Sequence, residues 1–530
     1  MSPVVGVIGS GLSAIGAIKA LLARGIHPTV IDRGERLDDE RTGMVEGLAR
    51  KQPAQWTAKE RHNLGNNPSL KNGSAIPRKL VFGSDYFYGR PGPDAPLDAS
   101  GNLPPFSHAL GGLSAGWGAA VLPPQECDLV DWPVSAGELS AYCAKVLAEL
   151  PYSARDDGLS LDFPLLFSGG YALRPGRSER WLLDALEEAS ILKKGETVFG
   201  QARLLVDAGN NEHACRYCGQ CMSGCVYGAI YKAGDEIMSL HEKGEIEYLP
   251  GYHALRLFEE NGKVVVSVRD ASGVPSNMTF DRIFMAAGAV NSARLVLDSL
   301  GLFGHKLRLL SRGGFVIPML NLRRLPIEWP DLNTQPGLFL EIRGKGLEHW
   351  VHVQISVENE LLLQKLGIRA GSRGLLTRLK RYIASHVVLL FVNYHSDHAG
   401  SYDLWLEPAA VGESANRLRS VHHRSPPQWR VWRASWMRLL SVFAKIGCLP
   451  LFPMARLNSG GYHVGGTLPM RARPSGALET DTLGRLAVWK QVHVVDTAVF
   501  PSLPGTTIGL LAMANAYRIV DQVAWDRVHV

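Results

Sequence analysis

The chain has 530 residues, 46% of them hydrophobic and 20% charged, and its formal net charge is +6. This length exceeds a single simple core and implies two to four domains. The small net charge excludes the basic stripe of a nucleic-acid binder, and no run of about 18 apolar residues exists to cross a membrane.

Residues 4–8 form a continuous apolar run, as expected of a parallel strand buried on both faces. The sequence then reads Gly9-Ser10-Gly11-Leu12-Ser13-Ala14. Gly9 permits a tight turn, Gly11 lets backbone approach a pyrophosphate, and Ala14 supplies the third small residue, for helix packing. A helix over 13–24 aims its N-terminal amides at the phosphates. A second strand, 29–31, delivers Asp32 about 20 residues past the glycines, placed for ribose hydroxyls. In register, these elements predict a dinucleotide site. The alternative is a parallel αβ unit with an idle glycine turn, and the motif alone does not separate flavin from nicotinamide. So early a first strand leaves no room for a signal peptide. That predicts a cytoplasmic protein, with peripheral contact to a membrane left open.

Residues 36–75 are polar, with Gln52, Asn63, Asn66 and Asn67, and read as a surface insertion or a lid over the cofactor. Leu110-Gly111-Gly112-Leu113-Ser114-Ala115-Gly116-Trp117-Gly118 is a second glycine-rich stretch, a mark of close backbone approach. Residues 136–150 have helical spacing. Cys215-x-x-Cys218-x-x-Cys221-x-x-x-Cys225 repeats the spacing of bacterial iron–sulfur ligand runs. In a reducing compartment such a cluster points to metal rather than disulfides. Four thiolates also suit tetrahedral zinc, and a loop carrying no metal is the third reading; the compact run favours iron–sulfur. Cys127, Cys143 and Cys448 are scattered and read as buried small apolar residues.

Residues 264–268 and 278–284 predict a small hairpin domain. Residues 282–289 read as a buried strand ending in Ala286-Ala287-Gly288-Ala289, before a helix from Asn291. Runs at 315–320, 350–357, 387–394 and 402–407 predict an antiparallel sheet forming the floor of a substrate pocket. Residues 373–381 are basic (Arg373, Arg378, Lys380, Arg381) and run into an apolar stretch. A solvated helix face is the favoured reading, with a membrane surface or an anionic substrate as alternatives. Trp429, Trp432 and Trp436 recur at helical spacing, which favours helix core over a sugar platform.

Near the end, His463 stands between Gly460-Gly461 and Gly465-Gly466. Oxidising an alcohol needs a base for the hydroxyl proton, and an imidazole titrates near neutrality. A structural histidine in a glycine loop is the alternative. His422, His423 and His493 lack that context. A last turn, Leu503-Pro504-Gly505-Thr506-Thr507, precedes a helix from 508. Thr506 or Thr507 would cap it, and its positive end favours an anion.

Taken in order, the opening turn, Gly-Gly-x-Ser-x-x-Trp-Gly at 111–118, Asp131-Trp132-Pro133, the small strand end 286–289, His-x-x-Gly-Thr at 463–467 and Val-Val-Asp-Thr-Ala-Val-Phe-Pro at 494–501 resemble the glucose-methanol-choline (GMC) oxidoreductases. The resemblance spans nearly the whole chain. It implies an α/β fold: a Rossmann-like FAD-binding domain built from discontinuous segments, plus an α+β substrate domain with an antiparallel sheet. The FAD-binding parts would be 1–130, 201–305 with the cysteine segment, and 456–530; the substrate parts would be 131–200 and 306–455. Carried over, Gly9, Gly11, Ala14, Asp32, Gly111, Gly112, Ser114, Trp117, Gly118, Gly288, Asp496 and Thr507 would bind FAD, and His463 would be the base over the flavin. The family's second catalytic side chain, an asparagine or histidine, falls at Leu503, so Thr506 would assist or His463 would act alone. Some relatives carry an iron–sulfur cluster here, which implies a dehydrogenase passing electrons to a protein or quinone. The expected substrate is an alcohol, a sugar or cyclic polyol first and a sterol or terpenoid second. An oxygen-using oxidase and a flavin electron-transfer protein without alcohol chemistry remain as alternatives.

Overall fold

The apolar run at the N-terminus forms the strand Val5–Ile8, every residue buried. In the computed structural model, which describes residues 3–66, 79–368, 374–412, 415–423, 429–451, 456–458 (backbone only) and 462–525, it is the centre of a five-stranded sheet. The spatial order is Val492–Val494, Arg282–Met285, Val5–Ile8, Thr29–Ile31, Glu247–Leu249, and every pairing is parallel. Numbered along the chain this is 5-4-1-2-3, a doubly wound order whose ligand crevice lies at the carboxyl ends of the strands. Strands from three separate parts of the chain thus meet in one sheet.

Both ends of the chain are locked together by helices. Leu12–Leu22 packs on the C-terminal helix Gly509–Gln522. A Cβ on Gly16 would sit 2.1 Å from the Met513 carbonyl oxygen, so glycine sets the closeness of this crossing. Ala14 is fully buried, but the close approach falls two residues further on.

The second layer is a seven-stranded sheet that includes Thr197–Gln201, Gly313–Asn321, Leu338–Gly344, Leu347–Ser356 and Val387–Tyr394. The pairings given for these strands are antiparallel. Three of the four anticipated strands lie here. The fourth, Ser401–Glu407, belongs to a separate five-stranded sheet with Leu307–Ser311. The hairpin domain is a three-stranded sheet, His253–Glu260, Lys263–Arg269 and Pro275–Phe280. The anticipated strand 278–284 breaks at Asp281, after which Arg282–Met285 joins the parallel sheet.

The polar insertion is helical, Asp39–Ala49 and Ala58–Leu64; residues 67–75 lie outside the described set. It covers the cysteine loop. Leu48, Trp56 and Leu64 share a satellite core with Phe82, Cys218 and Tyr227, and Arg61 donates to the Cys218 carbonyl at 3.1 Å. The tryptophan stripe lies on the helix Trp429–Lys445. Trp436 is buried while Trp429 is 65% exposed, so the stripe runs from core to surface. No described helix is long and apolar enough to cross a membrane.

Candidate active site

The parallel strands end on a cavity of about 1200 Å³, larger than the roughly 300–1,000 Å³ of most small-molecule pockets. One wall is glycine. Gly9 holds φ +103°, and a Cβ there would lie 2.5 Å from the Ala286 carbonyl oxygen. The second glycine stretch crosses the first: Ser10 Oγ accepts from the Gly111 amide at 2.9 Å and donates to Asp32. Asp32 also accepts from the Tyr248 hydroxyl at 3.2 Å. Burial pushes its carboxyl up to about 7 against these hydrogen bonds. Three helix N-termini open here without side-chain caps, at Gly11, Gly288 and Ile508. Their amides and dipoles favour anionic oxygens.

Twelve of the anticipated residues line this cavity: Gly9, Gly11, Asp32, Gly111, Gly112, Ser114, Trp117, Gly118, Gly288, His463, Asp496 and Thr507. Several polar side chains among them are already engaged by protein. Ser114 Oγ donates to the Gly111 carbonyl at 2.6 Å and accepts from the Ala233 amide at 3.0 Å. Trp117 Nε1 donates to the Tyr231 carbonyl at 2.7 Å. Asp496 accepts from the Gly288 amide (2.8 Å), Ser292 Oγ (2.5 Å) and the Ala498 amide (2.8 Å). It staples the last strand's exit to the small strand end and shapes the wall with backbone. Thr507 Oγ1 accepts from the Leu122 amide at 2.8 Å instead of capping the last helix. Ala14 and Thr506 do not line the cavity. Thr506 is buried, and its carbonyl accepts from Arg312 at 2.7 Å.

The far end of the cavity is made by side chains. His463 is half-buried, and its buried Nδ1 has no hydrogen-bond partner. Burial, then the charge of Arg312, then His352, hold the imidazole well below its ordinary pKa. It is therefore a neutral base at pH 7. Arg312 fixes the backbone around it by donating its amide to the His463 carbonyl at 3.1 Å. Leu503, read from the sequence as the second catalytic position, is wholly in the core. The polar groups that do face the cavity come from the seven-stranded sheet and its edges: Gln354, Asn393, Arg312, Gln335, Ser356 and Asn359. The sequence reading missed them. Their signal was a polar residue inside an apolar run, Gln354 within Trp350-Val351-His352-Val353-Gln354-Ile355 and Asn393 within Val387–Tyr394. Beneath Gln354, His352 Nε2 lies 3.1 Å from its amide nitrogen, and His352 Nδ1 lies 2.5 Å from Glu341 Oε1. Burial raises the Glu341 carboxyl and lowers the His352 imidazole, so this pair is held neutral. Gly460 and Gly461, upstream of His463, lie outside the described residues.

Next to this cavity the four cysteines converge on a small pocket of their own, with Asn333 and Tyr227. Met222, between Cys221 and Cys225, lines the large cavity, so the two pockets adjoin. Gly219 at φ +71° and Gly224 at φ +110° turn the loop. Burial raises the Cys218 and Cys221 thiols, each helped by neighbouring cysteines. The Thr334 amide donates to Cys221 Sγ at 3.3 Å and Asn333 to Cys215 Sγ at 3.7 Å. Tetrahedral zinc would draw the sulfurs to about 3.8 Å of one another. Among the described residues, the set whose ligand atoms all lie within 4.8 Å is instead His349, His395 and Asp397. In that set the imidazole rings stack at 3.9 Å, 18° from parallel. Their lone pairs therefore do not converge on a metal, and the rings share the Asp397 carboxylate.

No protein-family model matches the chain, and no curated protein sequence does. Solved structures share its fold. Pyridoxine 4-oxidase from Mesorbium loti is 15% identical over 98% of this chain and 99% of its own, with a TM-score of 0.59. An FAD-dependent oxidoreductase from Chaetomium thermophilum, solved with a bound butanamide fragment, is 13% identical over 98% of both chains, with a TM-score of 0.57. The mixed α/β architecture expected from the sequence is the architecture of these proteins.

Proposed function

We propose that the chain is a GMC-like, FAD-dependent dehydrogenase that oxidises a CH–OH group to a carbonyl. The observation that carries this reading is the shared cavity: a glycine cradle with three uncapped helix N-termini, and a neutral imidazole whose Nδ1 has no partner. The cradle fits a dinucleotide, since a Cβ at Gly9 would strike backbone. Gly9, Gly11, Gly111, Gly112, Gly118 and Gly288 would offer backbone to FAD, with Asp32 on its ribose. Ser114, Trp117 and Asp496 would hold that backbone in place, and Thr507 would tie the last turn to it. When bound, FAD supplies the acceptor for the substrate's hydride. His463 takes the hydroxyl proton, and the fixed positive charge of Arg312 stabilises the alkoxide developing beside it.

Substrate orientation falls to Gln354 and Asn393. The amide groups that Gln354, Asn393 and Gln335 bring to this wall favour a polyhydroxylated substrate, a sugar or cyclic polyol, over a sterol or terpenoid. Cys215, Cys218, Cys221 and Cys225 would hold an iron–sulfur cluster. It supplies a one-electron outlet to a protein or quinone acceptor and favours a dehydrogenase over an oxidase. The experiment is anaerobic flavin reduction, screened across sugars, polyols and sterols, with iron and labile sulfide measured on the same preparation. Bleaching by polyols and several irons per chain are expected. Steady peroxide formation with an alcohol would instead mark an oxidase, absence of iron would remove the outlet, and a flavin that no alcohol reduces would end the enzyme reading.

A further inference from the structure

The helix Leu375–Ala384 wears its amphipathicity inside out. Its residues at 375, 376, 379, 382 and 383 fall on one face at the i, i+3, i+4, i+7 spacing that ordinarily turns toward a core. Here that face turns outward: Leu375 is 85% exposed, Leu376 66%, Leu379 55%, Tyr382 51% and Ile383 50%. The helix's one buried residue is Ala384. Most other exposed large apolar side chains are scattered singly, which is ordinary for a soluble surface. The described part of the run 373–381 lies on the surface, and its apolar side chains are among the exposed ones; Arg373 itself lies outside the described residues. The helix carries no acid. Arg378 and Lys380 flank the apolar stripe on the helical wheel, while Arg381 falls on the opposite side. At its end, the Arg324 guanidinium sits 5.6 Å over the Tyr382 ring, and Leu322 nearby is 62% exposed.

We propose that this helix docks the protein on an anionic membrane surface, with the apolar stripe at the acyl boundary and the cations among the headgroups. A helix with outward leucines and a cationic border has the chemistry of an interfacial, non-spanning anchor, and each cation near an anionic surface adds attraction. A protein groove would satisfy the leucines but would leave the cationic border unexplained. The position also suits the proposed function, on which this one point rests. Ala384 packs in a small cluster with Trp329, Leu332, Leu363 and Ile368. That cluster braces the cysteine loop: Trp329 Nε1 donates to the Gly219 carbonyl at 2.9 Å, and the Gly219 amide donates to the Leu332 carbonyl at 3.0 Å. The electron outlet would thus lie on the membrane side, where a lipid-soluble acceptor is met.

The test is sedimentation of the purified full chain with vesicles, which reads binding whether or not flavin or iron is present. Phosphatidylglycerol-rich vesicles should carry the protein down, and pure phosphatidylcholine should bind it several-fold less, by about fivefold for each cation engaged. Leu376→Ser with Leu379→Ser should lower the partition constant on the order of a hundredfold. Arg378→Glu should abolish the preference for the anionic lipid. The proposal is overturned if neither vesicle binds the parent, or if the double substitution binds as well as the parent. It is equally overturned if lipid-free self-association appears and the same substitution removes it, since the stripe would then be an interface between copies.

Discussion

The two ends of the cavity are built by different means. At the end proposed for the nucleotide the surface is backbone, held open by glycines at Gly9, Gly111 and Gly112 and by uncapped helix N-termini. At the other end it is side chains, with His463, Arg312, Gln354 and Asn393 projecting from sheets that are otherwise apolar. A backbone-built surface tolerates little change in shape and is indifferent to most neighbouring side chains. A side-chain-built surface can change its substrate while the sheet behind it stays the same.

Four substitutions sharpen that contrast. Gly9→Ala, which puts a Cβ 2.5 Å from a carbonyl oxygen at φ +103°, should weaken FAD binding by about 100-fold, read as flavin content after dialysis. Asn393→Ala should leave flavin content unchanged and raise the substrate concentration needed for half-maximal flavin reduction by roughly tenfold. If it removes flavin instead, the division between the two ends is wrong. Gly16→Ala, at the crossing of the first and last helices, should cost about 1–3 kcal/mol of stability in denaturant unfolding, with no change in the reduction rate per bound flavin.

The smallest effect is expected at Asp397, outside the cavity. Burial alone would lower His349, but hydrogen bonds to Asp397 and to the Cys127 carbonyl raise it above 6.5. His349 and then His395 hold Asp397 below 3.8. The raised His349 stabilises the fold below its ordinary pKa, and that contribution is lost as pH rises through the folded value. The depressed Asp397 stabilises it above 3.8, and that contribution is lost as pH falls through its folded value. The pair is therefore strongest from about pH 4 to pH 6.5. Asp397→Asn should lower stability in that window by less than about 1 kcal/mol, because its half-open carboxylate is screened by water. At pH 9 the substitution should be silent.

The same contrast decides what could be read from the residues alone. Glycine turns, the acid after the second strand and the cysteine spacing are local patterns with local causes. They predicted the parallel sheet, the crevice and the cysteine pocket. Gly16 and Asp496 show where local reading stops. Gly16 looks like any helical glycine until the last helix lies against it, and the groups that engage the Asp496 carboxylate, on Gly288 and Ser292, stand 208 and 204 positions away in the chain. Leu503 is the sharpest case. Read by motif as the second catalytic position, it is wholly buried in the core, while polar residues of the seven-stranded sheet line the cavity. The segment 36–75 reads as a surface insertion or a lid, and its described residues, 36–66, show what polar composition hides. Leu48, Trp56 and Leu64 are few but sufficient to dock those helices on the cysteine loop.

The most direct test is the reductive half-reaction of His463→Ala, followed by stopped flow without oxygen. The substituted protein should retain its full flavin content and be reduced by substrate some 10²–10⁴-fold more slowly, with the missing rate partly restored by added imidazole. Reduction at the parent's rate with flavin in place would show that the proton leaves by another route and that the imidazole facing the cavity is not its base.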